Sequence, residues 1–241
     1  MIHSTLDILA IAAHPDDAEI GAGGTILKSI GQGYKVGILD LTRGELGTRG
    51  TAETRDKEAR NASEMLGIHH RDNLGLPDGF FEHNKESILR IVEKIRLYQP
   101  RLVLTTAPSD RHPDHGRASE LVRQACFYSG LAKVITRHND QPQEPHRPNA
   151  VYHFIQDYHL PPDFVIDISE QWNKKIEVLK CFKTQFYDEN SVEPETPISG
   201  KGFFDFLKAR AIEMGRPSGF ELAEGFMVDR PAGVNDLFHL L

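Results

Sequence analysis

The sequence has few of the features that mark secreted or membrane-spanning proteins. Its 241 residues include only two cysteines, Cys126 and Cys181, which lie far apart within helical patterns. We therefore expect two free thiols in a reducing compartment rather than a disulfide. No apolar run approaches the roughly 20 residues that cross a bilayer, and residues 1–7 lack the residue order of a signal peptide. These absences predict a cytoplasmic protein.

An excess of basic residues is also missing. The formal net charge is −7, and no block of lysine and arginine offers the basic face that binding to nucleic acid or an acidic membrane requires. The hydrophobic share of 39% and the charged share of 26% are ordinary for a globular protein. Because no repeat, low-complexity tract or linker interrupts the chain, we expect residues 1–241 to form one domain, with the C-terminal third decorating the core sheet.

Short apolar runs that alternate with amphipathic stretches predict the fold class. Residues 6–13 are almost wholly apolar and too few for an amphipathic helix, which favours a strand buried on both faces. A helix over 19–32 and a strand over 35–41 complete a β-α-β unit with two parallel strands. The alternation continues, with helices predicted at 54–66, 87–98, 115–128, 170–182 and 203–214 and strands at 71–76, 102–106, 151–155, 164–168 and 219–228. We expect an α/β, Rossmann-like fold with a mostly parallel sheet flanked by helices.

Three local features follow from particular residues. Asp114 and Ser169 are predicted to be the N-caps of the helices after them, because short polar side chains accept hydrogen bonds from the first helical N–H groups. Residues 137–149 are polar and contain prolines, which predicts a long loop or a flap.

Histidine and aspartate residues directly follow two of the predicted strands. The stretch H-P-D-D occupies residues 14–17, and D-R-H-P-D-H occupies residues 110–115, soon after strand 102–106. In open α/β sheets, ligands bind beyond the carboxyl ends of the strands, so both stretches are expected at one edge. The glycine-rich loop 42–51 and the turn 77–79 belong to the same edge. The sequence therefore predicts an active site at the C-terminal ends of the strands.

Imidazole and carboxylate groups together form a ligand set that suits zinc. We assign His14, Asp17 and His115 as the ligands, two from one loop and one from the other. Three protein ligands leave a tetrahedral zinc ion with one open position for water, which is the arrangement of catalytic sites. Such water ionises at about pH 7, and Asp16, beside the ion, is available as the general base.

A second pair, His112 and Asp114, is predicted to act on the reacting group. The carboxylate would orient the imidazole and favour its charged form, which either stabilises an oxyanion or protonates a leaving amine. Arg55 lies on the inward face of its helix and is a candidate for substrate contact, or only a partner for Glu53 or Asp56.

Simpler explanations compete with these assignments. Each histidine-aspartate stretch, taken alone, could be a helix start, and Asp78 could be only a turn residue. Occurrence of both stretches after buried strands favours the metal site. The glycines at 21–24 do not make a dinucleotide-binding motif, because three carboxylates precede them; we expect them to let the helix pack closely against the sheet. Of the histidines without ligand spacing, His159 is of most interest.

The motifs A-H-P-D-D-A-E at residues 13–19 and H-P-D-H at residues 112–115 resemble the two signature motifs of the zinc-dependent N-acetylglucosaminyl deacetylases, the LmbE-like or PIG-L family. The resemblance covers nearly the whole chain. The stretches Y-K-V-G-I-L-D-L-T, D-R-H-P-D-H, F-V-I-D-I-S and A-E-G-F are similar to the branch that serves bacillithiol synthesis, which removes acetyl from N-acetylglucosaminyl malate. The chain departs from the general H-P-D-D-E pattern in having Ala18 before Glu19.

The resemblance implies the same zinc ligands and the same base as the residues do. It gives His112 the oxyanion or acid role, with Asp114 as its partner. Arg55 and Asp78 match positions that hold sugar hydroxyls, and the charge of Arg111 suits the malyl carboxylate. Members of this branch are often hexameric, which predicts a homo-oligomer, and iron(II) is an alternative metal for the same ligands.

The expected function is therefore zinc-dependent removal of acetyl from an N-acetylated amino sugar, most directly N-acetylglucosaminyl malate. One alternative is the same chemistry on a chitooligosaccharide or another N-acetylglucosaminyl conjugate, or on the amide of a thiol conjugate. An alternative of another class is a non-catalytic module that binds a sugar or nucleotide. The expected partner is a small molecule, with no nucleic acid and no membrane.

Overall fold

The structure, a computed structural model, describes residues 5–240 and the side chains of residues 5–238. The first four residues, part of the stretch searched for a signal peptide, lie outside this range. Within it, nine strands, β1 to β9, are Ile8–Ala12, Val36–Asp40, His70–Asn73, Leu102–Thr106, Arg137–His138, Gln141–Pro142, Ala150–Phe154, Phe164–Asp167 and Ala223–Val228. Six α-helices of the same residues, α1 to α6, are Asp17–Gly31, Ala52–Leu66, Lys85–Tyr98, Pro113–Ser129, Trp172–Leu179 and Phe203–Gly215. Single 3₁₀ turns occupy Arg216–Ser218 and Leu237–Leu240.

Seven of these strands form one mostly parallel sheet, which confirms the predicted α/β fold class. The strand order is β3-β2-β1-β4-β7-β9-β8. The first five strands are parallel, and β9 is antiparallel to both of its neighbours. The chain moves outward from β1 in one direction and then returns to place β4 on its other side. The carboxyl ends of β1 and β4 therefore form a topological switch point, where open α/β sheets bind ligands.

Strand β1 is buried on both faces, as its continuous apolar run predicts. Leu9 and Ile11 face the core formed with α3 and α4. Ala10 and Ala12 face the other core, formed with α1, α2, α5 and α6. Successive side chains of a strand point to opposite faces, so a strand between two helical layers needs apolar residues at every position.

Close packing of α1 against the sheet depends on its glycines, as expected. A Cβ atom added at Gly21 would overlap the ring of Phe154, and one at Gly24 would lie 2.7 Å from Ile168. Neither position is possible for a real side chain, because carbon atoms in contact are about 3.5–4.0 Å apart. These glycines therefore set the distance between α1 and the strands beneath it.

A buried ion pair joins the C-terminal third of the chain to α1. Nζ of Lys175, on α5, lies 2.7 Å from Oε1 of Glu224, on β9, and both residues are 4% exposed. The two oxygens of Glu224 accept the N–H groups of Gly24 and Thr25, and Lys175 donates to the carbonyl of Ile20. Each buried charge thus has several partners, which offsets its cost of desolvation.

Two local predictions are wrong, and a third is incomplete. His112, not Asp114, caps α4, and its Nδ1 accepts the N–H of Asp114. Ser169 does not cap α5, which begins only at Trp172; its hydroxyl bonds to Asp167 instead. Residues 137–149 include the hairpin β5–β6, whose two central residues both have positive φ, a turn that suits Asn and Asp. None of the residues 137–149 lines the cavity described below.

Two absences expected from composition hold for the described residues. Cys126 and Cys181 are both free thiols, Cys126 buried and Cys181 half-buried. Among the helices of residues 5–240, none combines the length and the apolar composition that crossing a membrane requires.

Replacing Gly21 by Ala should destabilise the protein. The added methyl group meets the Phe154 ring, so we expect a loss of about 1–3 kcal/mol in the free energy of unfolding. Urea unfolding followed by circular dichroism measures this loss. The matched control is Gly31→Ala, where a Cβ meets nothing within 4 Å; there we expect no loss and a gain of up to about 1 kcal/mol. Equal stability of the two variants would contradict the packing argument.

Candidate metal centre and catalytic site

The loops that follow β1 to β4 surround one cavity of about 410 Å³ at the predicted edge of the sheet. Residues 156–157, after β7, and residues 196–198 complete its wall. Eight of the nine residues predicted from the sequence line this cavity: His14, Asp16, Asp17, Arg55, Asp78, Arg111, His112 and His115. The ninth, Asp114, is fully buried and contacts His14. Distant parts of the chain are thus brought together as the topology requires.

The carboxylate of Asp17 lies between two imidazoles. Its Oδ2 is 3.3 Å from Nδ1 of His14, and its Oδ1 is 3.1 Å from Nε2 of His115. The centroids of the two rings are 5.7 Å apart, and all three residues are buried. Two imidazole nitrogens and one carboxylate this close together can be shared by a single divalent ion.

A second carboxylate holds the far nitrogen of each imidazole. Nε2 of His14 is 2.9 Å from Oδ1 of Asp78, and Nδ1 of His115 is 2.7 Å from Oδ2 of Asp110. Metal-binding histidines usually donate their other N–H to a carboxylate in this way, which fixes the tautomer and the ring orientation. The nitrogens left over are the two that face Asp17. The residues present therefore fit a divalent cation.

A third imidazole, that of His112, belongs to the same cluster. One nitrogen each from His14, His112 and His115 lie within 4.8 Å of one another. The His112 ring centroid is 4.6 Å from that of His14 and 5.3 Å from that of His115. Because Nδ1 of His112 accepts the N–H of Asp114, only its Nε2 is available to an ion or a substrate.

Charge in this cluster is set by burial and by the surrounding carboxylates. Burial lowers the pKa of His14, but hydrogen bonds to three carboxylates raise it well above its ordinary value. At His115 burial again lowers the pKa, whereas Asp17 and Asp110 raise it to about 9. In the absence of a cation, these raised pKa values favour protonated rings at neutral pH. Binding a cation must therefore displace protons.

Asp16 has an unusual backbone and an unusual carboxyl group. It precedes α1 with φ 121° and ψ −26°, a conformation that is strained for any residue except glycine. Burial raises the pKa of its carboxyl to about 7, although the guanidinium of Arg55, 3.2 Å away, opposes the shift. A carboxyl with a pKa in this range can both accept and return a proton at neutral pH.

Among the described residues, no hydrogen bond joins the His112 ring to the Asp114 carboxylate, the pair that the sequence predicts. The Asp114 oxygens accept hydrogen bonds from the N–H of Gly79 and from Arg117. Burial lowers the pKa of His112, and the positive charges of the two neighbouring imidazoles lower it further. The lowered pKa favours a neutral His112 imidazole, and the hydrogen bond that Nδ1 accepts favours the tautomer with the proton on Nε2.

Arg55 is placed as expected for substrate contact. It is 4% exposed, lines the cavity and donates to a main-chain carbonyl of the 14–17 loop. Its acidic neighbours Glu53 and Asp56 pair with Arg43 instead, so the simpler explanation for Arg55 does not hold. Its Nε has no hydrogen-bond partner among the described residues and remains available to a ligand.

Asp78 and Arg111 have protein partners that the sequence did not predict. Oδ1 of Asp78 contacts His14, and Oδ2 accepts the N–H of Leu46. Nε of Arg111 is 3.0 Å from Oδ2 of Asp157, and the Arg111 side chain is 42% exposed. Both residues line the cavity, so their substrate roles stay predictions.

Several residues of this site were not predicted from the sequence. Asp110 begins the second motif, five residues before His115, and that spacing is the signal that was available. Gln156 directly follows a strand at the same edge and donates to Asp17. Residues 196–198 belong to no sequence motif, helix or strand, so no pattern in the sequence could have identified them. His159 lies outside the cavity lining, with its side chain 74% exposed near Glu213.

Comparison with known proteins agrees with this geometry. Residues 9–126 match the family described as PIG-L: GlcNAc-PI de-N-acetylase. The diacetylchitobiose deacetylase of Thermococcus kodakarensis is 31% identical over 228 residues, which cover 90% of this chain and 81% of that protein. The chain therefore belongs to the PIG-L family of deacetylases.

Two further proteins are similar to this chain. The solved structure of the conserved protein TT1542 from Thermus thermophilus is one of them. The match covers 97% of this chain and 99% of that chain, with 34% sequence identity and a TM-score of 0.86. The probable N-acetyl-alpha-D-glucosaminyl L-malate deacetylase 2 of Bacillus anthracis is 28% identical over 196 residues, 74% of this chain and 81% of that protein. The family is thus shown, whereas its bacillithiol branch is not distinguished from the others.

Zinc binding should become stronger as the pH rises from 6 to about 9. Protons on His115, whose pKa is raised to about 9, compete with the ion below that pH. Calorimetry in buffers of different ionisation enthalpy should show release of about one to two protons at pH 7. Asp110→Asn removes the negative charge beside Nδ1, so we expect roughly 10- to 100-fold weaker zinc binding and a smaller pH dependence. Zinc affinity that does not change with pH would contradict this assignment.

Proposed function

We propose that the protein is a zinc-dependent N-deacetylase that acts on an N-acetylglucosamine derivative. The observation that carries the proposal is the Asp17 carboxylate between His14 and His115, each held from behind by a second carboxylate, in a cavity that Asp16 also lines. Membership of the deacetylase family supports the reaction, and the donor set supports zinc, with iron(II) as the alternative. The cytoplasmic location and the homo-oligomer, hexameric or otherwise, stay predictions.

Three of these residues, His14, Asp17 and His115, are the proposed ligands. They would hold a divalent ion, which would supply Lewis-acid polarisation of the acetamide carbonyl and a lower pKa for the attacking water. Asp114, which the sequence paired with His112, instead contacts His14 from the buried side at 3.4 Å. Its proposed role is therefore to position a ligand.

Asp16 is the proposed general base. With a pKa of about 7 its carboxylate can take a proton from the attacking water. The protonated carboxyl can then return that proton to the departing nitrogen, so that acetate and a free amine are the products. This cycle uses one residue for both transfers and needs no separate acid.

His112 is the proposed oxyanion donor. The neutral ring with its proton on Nε2 can donate a hydrogen bond to the developing negative charge without carrying a charge of its own. The geometry therefore supports the oxyanion role over the acid role, which the sequence left open. Arg55, with a free Nε in the cavity, is the proposed contact for a sugar hydroxyl.

The group attached to the sugar is proposed from charge. N-acetylglucosaminyl malate would meet the partly exposed guanidinium of Arg111. That guanidinium already has a carboxylate partner in Asp157, which weakens its attraction for a second one. A neutral chitooligosaccharide needs no such cation, and relatives named for each substrate are similar to this chain. N-acetylglucosaminyl malate and a chitooligosaccharide are therefore the two substrates proposed.

Asp16→Asn should bind zinc and lose most turnover, because an amide cannot accept the proton of water. We expect kcat to fall by about 10²- to 10⁴-fold, measured as acetate release, with unchanged zinc content. His115→Ala is the comparison, in which we expect loss of bound zinc. Full activity of Asp16→Asn would remove the base assignment, and full zinc content of His115→Ala would remove the ligand set.

Substrate choice can be measured with Arg111→Ala. If the malyl carboxylate is recognised, kcat/KM for N-acetylglucosaminyl malate should fall about 10-fold or more, as for loss of a charge-assisted hydrogen bond. The value for diacetylchitobiose should then stay within about twofold of wild type. Wild-type protein that binds these sugars without releasing acetate would instead support a non-catalytic sugar-binding module.

A further inference from the structure

The proposed mechanism gives no role to one buried side chain of the cavity. Gln156 follows β7, is 6% exposed and lines the cavity. Its Nε2 lies 2.6 Å from Oδ1 of Asp17. An ionised carboxylate only accepts hydrogen bonds, so the NH₂ group of the carboxamide must face Asp17. The orientation of Gln156 is therefore determined.

The other end of the same carboxamide has no partner. Oε1 of Gln156 is buried and accepts no hydrogen bond from any described residue. Buried polar side-chain atoms are nearly always hydrogen-bonded, by protein or by ordered water. An acceptor without a protein partner in a ligand cavity, next to a proposed metal ligand, can accept a hydrogen bond from a bound substrate in place of water.

An N-acetylated amino sugar carries two kinds of donor. Each hydroxyl group can be satisfied by a donor or by an acceptor, whereas the amide N–H can be satisfied only by an acceptor. Two other acceptors of the cavity are engaged, since Asp17 faces two imidazoles and Asp78 contacts His14 and Leu46. The Asp16 carboxylate, which also lines the cavity, has the proton of the attacking water as its partner in the proposed mechanism. The amide N–H therefore matches Gln156.

We propose that Oε1 of Gln156 accepts the N–H of the scissile acetamide and so makes the site select amides over esters. The inference rests on the proposed deacetylase function. One carboxamide then links the two halves of the site, because its NH₂ group orients Asp17 while its oxygen fixes the plane of the substrate amide. A fixed amide plane keeps the carbonyl carbon open to attack from one side.

The direct test compares an amide with the ester that has an oxygen atom in place of the N–H group. The pair is the methyl glycoside of N-acetylglucosamine and the 2-O-acetyl counterpart of methyl glucoside. In Gln156→Leu we expect kcat/KM for the amide to fall about 10- to 100-fold, and the value for the ester to stay within about threefold. Equal losses for both substrates, or loss of bound zinc, would show that Gln156 acts only through Asp17 and would overturn the proposal.

Two further variants provide controls. Gln156→Glu keeps an acceptor and can still donate to Asp17 as a protonated carboxyl, because two carboxyl groups this close share a proton, so its preference for the amide should survive. Gln124→Leu is the matched control, because Nε2 of Gln124 also donates to a carboxylate, that of Glu120 at 2.8 Å, outside the cavity lining. It should leave the ratio of amide to ester hydrolysis unchanged. Loss of the preference in Gln156→Glu would count against an accepting role.

Equilibrium binding separates this proposal from the proposed function. Calorimetry of both ligands with metal-free protein needs no turnover. We expect wild type to bind the amide at least about tenfold more tightly than the ester, and Gln156→Leu to bind the two equally. Wild type that binds both ligands equally would overturn the role of Gln156. Absence of acetate release would overturn the deacetylase function but leave this comparison decisive.

Discussion

The structure depends on keeping one carboxylate, that of Asp17, between two imidazoles at the point where the strand order reverses. β1 and β4 are adjacent and parallel, with Ile11 opposite Thr105, so the loops after them leave the sheet side by side. Side chains from both loops, such as His14 and His115, can then face each other over a few ångströms although about a hundred residues separate them. Burial strengthens the electrostatic interactions between the charged groups of this cluster. The carboxylate on the far side of each imidazole is therefore a strong partner for it.

Much of the surrounding structure serves to keep these charges in place. Glu19, the last residue of the first motif, does not line the cavity; it is fully buried and 2.5 Å from Arg71, which also contacts Asp40. This cluster connects the first turn of α1 to strands β2 and β3. In the same way, Lys175 and Glu224 connect the middle of α1 to the C-terminal third of the chain. Buried ion pairs add little net stability, but breaking one is costly, so they favour a single arrangement. A strained residue such as Asp16 can persist in such a frame.

Periodicity in the sequence was sufficient for the helices and for the strands of the main sheet, because burial on one or both faces leaves a pattern in consecutive residues. The predicted strand over 102–106 and the helices over 87–98 and 203–214 match the structure to within two residues. The local predictions that failed rested on single polar side chains. Ser169 bonds to Asp167 and so cannot cap α5, and the choice between such partners depends on backbone positions that composition does not show.

The sequence by itself identified eight of the residues that line the cavity, since strand ends and motif spacing together identify the loops of a parallel sheet. One of them is Arg55, whose inward position follows from helix periodicity. Only the tertiary structure decided what each polar group faces. It joined His14 to Asp78 across 64 positions and Asp17 to Gln156 across 139, and it gave His112 a main-chain donor in place of a carboxylate. Hydrogen bonds depend on distance and direction between atoms from remote segments, and these quantities exist only once the chain has folded.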